Sequence, residues 1–300
     1  MHCVGRRQEL RAVLSGSRCV FPASVFDPVS ARIARHLGYE VAMLAGSVAS
    51  LAVLGAPDLV VLTLTELAQQ AHRITRATDL PLLIDADHGF GNALNVRRTV
   101  EELETAGVAG LTIEDTELPQ GFAKPGKELV STEEAMGKFQ AALDARQDPA
   151  LCIFARSTAF IGLAPDQALE RIAHYARLPV DGLFLVGVQD WAQLQAVQSL
   201  TRLPILLGST PTTMKDADRL ASLSVRIALE GHAPFSAAVD AVYASLRAQR
   251  ERTNPGTIAP EMPLPLLPHL TQESLYKEWA ARYLQAGGLK VQGFGATFAT

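Results

Sequence analysis

Cysteine is scarce and scattered in this chain: Cys3, Cys19 and Cys152 are an odd number, with no Cys-x-x-Cys pair and no cluster spaced to hold zinc. That excludes a disulfide framework and points to a reducing compartment. Long hydrophobic runs are missing too, since none reaches the roughly 18 apolar residues of a membrane span. The N-terminus, Met1 to Gln8, is polar, so a cytoplasmic protein is expected. A basic excess is also absent: 27 Lys and Arg stand against 31 Asp and Glu, a net charge of −4. This argues against nucleic acid as the main partner. There is no Gly-x-Gly-x-x-Gly string, no Gly-x-Ser-x-Gly elbow and no internal repeat beyond a strand-helix period.

What the chain does have is bulk, with 300 residues that are 48% hydrophobic. A chain of that size buries roughly three quarters of its unfolded surface. Eight short apolar, β-branched runs recur: Cys19 to Pro22, Val41 to Ala45, Pro81 to Asp85, Gly110 to Glu114, Leu151 to Ala155, Gly182 to Val186, Pro204 to Leu207 and Val225 to Leu229. Between them lie segments of helical period such as Leu64 to Thr75, Val96 to Ala106, Pro165 to Ala176 and Ala192 to Leu200, with Ser30, Thr63, Asn95 and Asp190 as candidate N-caps. Eight such units fit a (β/α)₈ barrel better than an open doubly wound sheet, which usually stops at five to seven strands. The expected organisation is a catalytic barrel over residues 1–250 and a C-terminal segment over 251–300. In the latter, Thr253 to Pro268 reads as a proline-rich arm, Gln272 to Gln285 as a helix and Gly287 onward as a tail. That helix would pack on another subunit or on its own barrel.

Three of the strand runs end in chemistry, and in a barrel the C-terminal strand ends share one mouth. Asp85 and Asp87, one residue apart after a buried strand, are costly to hold there unless a cation offsets them, and hard oxygen ligands suit Mg²⁺ or Mn²⁺. The plainer alternative is a helix cap and a solvated carboxylate. Glu114 and Asp115 add carboxylates from the next strand. Arg156 then has two candidate tasks: binding a substrate carboxylate with its guanidinium fork, or steadying the barrel through Glu114 or Asp115. His232, after the eighth run, would move a proton, hydrogen-bond a substrate oxygen, or serve as a structural histidine. Gly46-Ser47-Val48-Ala49-Ser50 is a small-residue loop whose N–H groups could hold a carboxylate or oxyanion, or a plain turn. His2, His36, His72, His174 and His269 are assigned to surfaces.

These residues in this order resemble the isocitrate lyase and phosphoenolpyruvate mutase superfamily. The resemblance runs from about Ser24 to Tyr243, through Val25-Phe26-Asp27-Pro28-Val29-Ser30-Ala31, Ala45-Gly46-Ser47, Gly55-Ala56-Pro57-Asp58, Asp85-Ala86-Asp87-His88-Gly89-Phe90-Gly91-Asn92, Gly107-Val108-Ala109-Gly110 and Ile113-Glu114-Asp115. It implies a (β/α)₈ barrel whose last helix is exchanged between subunits, a homotetramer, and Mg²⁺ held by Asp85, Asp87 and Glu114. Such enzymes make or break bonds beside an α-keto acid or enolpyruvate.

The loop Thr116 to Glu128 chooses among members. Lyases of the superfamily carry Lys-Lys-Cys-Gly-His there, and the phosphonate enzymes an Asn-Ser pair; this loop has neither. The oxaloacetate decarboxylase branch is the closest resemblance, through Gly46 to Ser50, Asp85 to Gly89 and Gly231-His232-Ala233. It implies that Gly46, Ser47, Arg156 and His232 contact substrate, with Arg156 and His232 catalytic. A β-keto acid chelating Mg²⁺ loses its distal carboxylate as CO₂, and the metal takes up the charge of the enolate left behind. The rival readings are a carbon-carbon or carbon-phosphorus lyase, acting on 2-methylisocitrate or phosphonopyruvate, and a metabolite-binding barrel without catalysis. The last follows from two departures, Ser157-Thr158 and Gly208-Ser209-Thr210-Pro211.

Overall fold

The computed structural model describes residues 2–122, 128–252 and 266–284. Eight parallel strands follow one another in sequence order: β1 (Ala23–Ser24), β2 (Ala42–Leu44), β3 (Leu82–Asp85), β4 (Gly110–Glu114), β5 (Cys152–Ser157), β6 (Gly182–Leu185), β7 (Ile205–Leu207) and β8 (Val225–Ala228). The ring closes through one parallel bridge between Val20 and Ile227, where Val20 N–H donates to Arg226 O at 2.9 Å and Ala228 N–H to Val20 O at 3.0 Å. This is the expected (β/α)₈ barrel. The helices are α1 (His2–Ser15), α2 (Pro28–His36), α3 (Gly46–Leu54), α4 (Leu64–Thr75), α5 (Ala93–Thr105), α6 (Thr132–Ala145), α7 (Ala159–Gly162), α8 (Pro165–Tyr175), α9 (Trp191–Leu200), α10 (Ala217–Ser222), α11 (Ala233–Glu251), α12 (Leu267–Thr271) and α13 (Glu273–Tyr283). The chain forms two units, Met1–Val239 and Asp240–Thr300.

Strand alternation sorts the core into two layers. Leu82 and Ile84 face the helices, packing with Leu67, Ile74, Val96 and Val100. Val41, Met43, Leu83, Phe154, Phe184, Leu206 and Ile227 fill the barrel interior. Leu10 and Leu14 join that interior from α1, a helix that the polar N-terminal residues did not suggest. The reason is that its arginines are structural. Arg7 donates to Val108 O at 3.1 Å and pairs with Asp148 at 2.6 Å, while Arg11 donates to Ala150 O at 2.9 Å and pairs with Asp181 at 2.9 Å. These partners precede the strands, so α1 closes the end of the barrel away from the strand C-termini.

Other expectations need correction. The first strand lies at Ala23–Ser24 and not at Cys19 to Pro22, because Pro22 has no N–H to continue a ladder and Val20 alone bridges to β8. Ser30 and Asn95 are not N-caps. Asp27 and Asn92 are, and Ser30 and Asn95 are the reciprocal partners three residues on. Thr63 and Asp190 do cap α4 and α9. Gly46 to Ser50 forms the start of α3 instead of a loop or turn. The C-terminal helix spans Glu273–Tyr283, and Leu267 and Pro268, read as part of the arm, open α12. The rest of that arm and the tail from Gly287 lie outside the described residues.

Truncating Leu10, fully buried inside the barrel, to alanine is expected to lower unfolding free energy by about 3 kcal/mol, the usual loss for a buried leucine. Urea denaturation of Leu10→Ala beside wild type measures it.

Candidate active site

Asp85 is the last residue of β3, and its side chain is held from three sides. Its Oδ1 accepts from Thr112 Oγ1 at 3.2 Å and from Asp87 N–H at 3.1 Å, and it pairs with Arg156. Burial penalises its charge, but Arg156 and the N–H groups of Asp87 and Gly46 outweigh that and hold its pKa below the ordinary range. Asp87 sits in the left-handed region at φ 47°, so the chain folds back and its carbonyl accepts from Glu114 N–H at 2.8 Å. Burial first, then the charges of Asp85 and Glu114, push the Asp87 carboxyl well above the usual range. Gly46 explains itself here: a Cβ on it would stand 2.9 Å from Asp87 Oδ1.

Arg156, within β5, lies between the carboxylates, with Nε 3.1 Å from Glu114 Oε2 and its guanidinium 5.6 Å from the Phe184 ring centroid. Burial opposes its charge, yet Asp85 and Glu114 more than offset this, and its pKa is raised. Its Nε makes no hydrogen bond, and neither does the buried Nδ1 of His88. Of the two ion-pair partners expected of Arg156, Glu114 is one; the other is Asp85 and not Asp115, which pairs with Arg171. Gly208, one of the two departures, is explained by the same ring, since a Cβ there would meet Phe184 Cε1 at 2.7 Å.

His232 follows β8 and is half-buried. Its Nδ1 lies 3.0 Å from Ser24 Oγ at the end of β1. Burial lowers its pKa against the opposing pull of Asp85 and Asp58, so the ring is neutral at neutral pH. Ser47 sits in the first turn of α3, where N–H groups lack partners within the helix. The structure therefore brings Asp85, Asp87, Glu114, Arg156, Gly46 and His232 to one mouth, with Ser47 beside Gly46. Among the described residues, no three His, Cys, Asp or Glu side chains are grouped so that they could hold a metal ion by themselves.

Residues 10–250 match the phosphoenolpyruvate phosphomutase family. The chain belongs to that family. Oxaloacetate decarboxylase of Rhodopseudomonas palustris strain BisB18 is 52% identical over 285 residues, covering 95% of this chain and 98% of its own. Among solved structures, phosphonopyruvate hydrolase in complex with oxalate and Mg²⁺ superposes with a TM-score of 0.81 at 28% identity, covering 93% of this chain and 99% of the other. Oxaloacetate acetylhydrolase in complex with 3,3-difluorooxalacetate superposes at 0.80 with 25% identity, covering 93% and 97%.

Within this phosphoenolpyruvate phosphomutase family member, several mouth residues had no role assigned from sequence. Ser24 becomes visible only through its bond to His232. Asp58 was quoted in a motif, and its charge reaches both Asp87 and His232. His88, pushed down to about 4 by burial and the Lys138 charge, is neutral beneath the motif that contains it. Asp115, grouped with Glu114 from sequence, points elsewhere and bonds Ser157, Arg171 and Tyr175. The spacing of Arg171 and Tyr175, one helical turn apart, was the available signal.

Proposed function

We propose that this protein decarboxylates oxaloacetate, or a close β-keto acid, to pyruvate and CO₂ with the help of Mg²⁺. The observation that carries the reading is the mouth itself: Asp85 and Glu114 pair with a single guanidinium, and the Asp87 carboxyl beside them feels all three charges. The near identity in length and 52% identity to a named oxaloacetate decarboxylase support it. The donor set suits Mg²⁺, which takes one or two carboxylates and fills its other positions with water and substrate oxygens. Burial first, and then the charges of Asp85 and Glu114, disfavour the ionised form of Asp87, and a cation in the mouth would favour it. Asp85, Asp87 and Glu114 would hold the ion, directly or through water. When bound, it supplies a Lewis acid for the carboxylate and keto oxygens of an α-keto acid.

This chain's own residues supply orientation. The first turn of α3 faces negative charge favourably: the Gly46 N–H serves Asp85, and the Ser47 N–H beside it would hold the substrate's C1 carboxylate. Arg156, held between Asp85 and Glu114, would orient a substrate carboxylate with its guanidinium charge. Breaking the C3–C4 bond releases CO₂ and leaves its electron pair in the enolate of pyruvate, which takes a proton at C3. His232, with its pKa lowered by burial and its Nδ1 bonded to Ser24, is a poor acid, which favours substrate binding over proton donation.

The same reading gives the assembly and the compartment. Beside α2 and the start of α11 lies an open cavity of about 530 Å³, lined by Phe26, Ile33, Leu37 and Pro234 among others. Helix α11 leaves Val242, Tyr243 and Leu246 exposed. Exchange between copies of α11, the last helix of the barrel, together with the C-terminal segment that follows it, would cover both, in a homotetramer. The free buried thiols of Cys19 and Cys152 suit the cytoplasm.

Three outcomes are expected. Wild type should release pyruvate and CO₂ from oxaloacetate only with Mg²⁺ or Mn²⁺, and not turn over 2-methylisocitrate or phosphonopyruvate, while Asp85→Ala should lose turnover and Mg²⁺ affinity together. Wild-type rates for Asp85→Ala at limiting Mg²⁺ would remove that residue from the ion site. His232→Gln should keep its melting point and raise KM; a loss of about 10² to 10⁴-fold in kcat would instead make it the proton donor. Truncation after Arg252 should break the tetramer in light scattering, and an unchanged mass would exclude the C-terminal segment from assembly.

A further inference from the structure

Asp115 is fully buried at the end of β4 but stands apart from the carboxylates of the mouth. Its Oδ2 accepts from Ser157 Oγ at 2.8 Å, Arg171 Nε at 2.8 Å and Tyr175 OH at 3.0 Å, and its Oδ1 accepts from Thr158 N–H at 3.4 Å. A buried carboxylate with a guanidinium and two hydroxyls is well satisfied, and removing the guanidinium alone would leave it a costly charge. Burial, with Asp115 adding to it, raises the pKa of Tyr175, so its phenol stays a donor.

The fork of Arg171 reaches further. Its other nitrogens bond Val130 O and lie 3.4 Å from Thr132 Oγ1, where the chain returns from the loop after β4. The two ends of that loop run side by side: Thr116 and Leu129 form an antiparallel bridge, Glu117 N–H donates to Glu128 O at 2.8 Å, and Val130 N–H donates to Asp115 O at 2.9 Å. The outgoing end is also tied to β5, through Thr116 Oγ1 and Thr158 Oγ1 at 3.3 Å. On the other side, Asp115 N–H donates to Arg156 O at 3.2 Å. Bonds from Asp115 thus grip the chain at Arg156 and at the two residues after it.

We propose that Arg171 is a positioning residue for the reaction: through Asp115 and Val130 it fixes both ends of the loop after β4 and the backbone from which Arg156 projects. The departure at Ser157-Thr158 is part of this device, since both hydroxyls serve it. Arg171 touches no substrate, and its effect falls on substrate affinity more than on bond breaking. The kinetic part of this inference rests on the decarboxylase reading; the exchange part does not.

The test uses Arg171→Lys, which keeps the charge but loses the planar fork that spans Asp115 and Val130 from separate nitrogens, and Thr158→Val, which removes one hydroxyl and leaves the buried ion pair intact. Hydrogen exchange is followed in peptides containing Glu117 and Val130, with peptides from β3 and β6 as reference. Arg171→Lys should raise exchange at Glu117 and Val130 by about tenfold with the reference strands unchanged, as expected for local opening. It should raise the KM for oxaloacetate about tenfold and leave kcat within about twofold. Thr158→Val should move the same readouts in the same direction by less. Unchanged exchange at Glu117 and Val130 overturns the proposal, as does a uniform rise across the barrel with KM unchanged, which would make Arg171 a residue of stability alone. If Arg171→Lys does not fold, Thr158→Val decides by the same criteria. A wild type inert toward oxaloacetate would sink the decarboxylase reading and leave the exchange result to judge this one.

Discussion

Negative charge crowded at the ends of β3 and β4 is the constraint around which the rest of this molecule is arranged. Three buried carboxylates within reach of one another cannot all stay ionised without help. Arg156 supplies part of it by standing between Asp85 and Glu114. Backbone N–H groups supply more, and the raised pKa of Asp87, from burial and then from its neighbours' charges, shows what is left over. Even the glycine at position 46 follows from this crowding, because the Asp87 carboxylate occupies the space a side chain would need. In the proposed function, this combination of carboxylates, a guanidinium and a helix N-terminus would receive a cation and an anion together.

Holding such a site rigid requires a scaffold that does not yield, and the barrel meets this from both ends. Helix α1 seals the far end with Leu10 and Leu14, its arginines spread over carbonyls that precede the strands. At the near end, Asp115 ties β4 to β5 and α8. The two arrangements share a logic. Each uses arginine, whose planar fork reaches several acceptors at once, to join segments distant in sequence.

Much of this was legible in the sequence, and the reasons differ by element. The eight strands announced themselves because parallel strands buried on both faces read as unbroken apolar runs. The first was misplaced by a few residues, since Pro22 shifts the ladder without changing the hydropathy. Helix α1 was invisible because its arginines look like a solvated terminus until their carbonyl partners are in view. Helix α3 was read as a loop, for Gly46-Ser47 carries no apolar period. That the Asp pair, Glu114, Arg156 and His232 share one mouth was legible because each lies at or just after a strand's C-terminal end. Ser24, Asp58 and the Asp115 hub were not, because their meaning lies in pairs between segments that sequence order keeps apart.

The closure of the barrel at Val20 has its own consequence. Seven of the eight seams in the wall are ladders of two or more residues, while the eighth is one bridge between Val20 and Ile227. A closed ring opens first at its thinnest joint. Flanking that joint, Ser24 and His232 meet across the same gap at 3.0 Å. A substrate held by His232, as the proposed function has it, would sit on this seam, and its binding would act as a clasp that holds the first strand against the last.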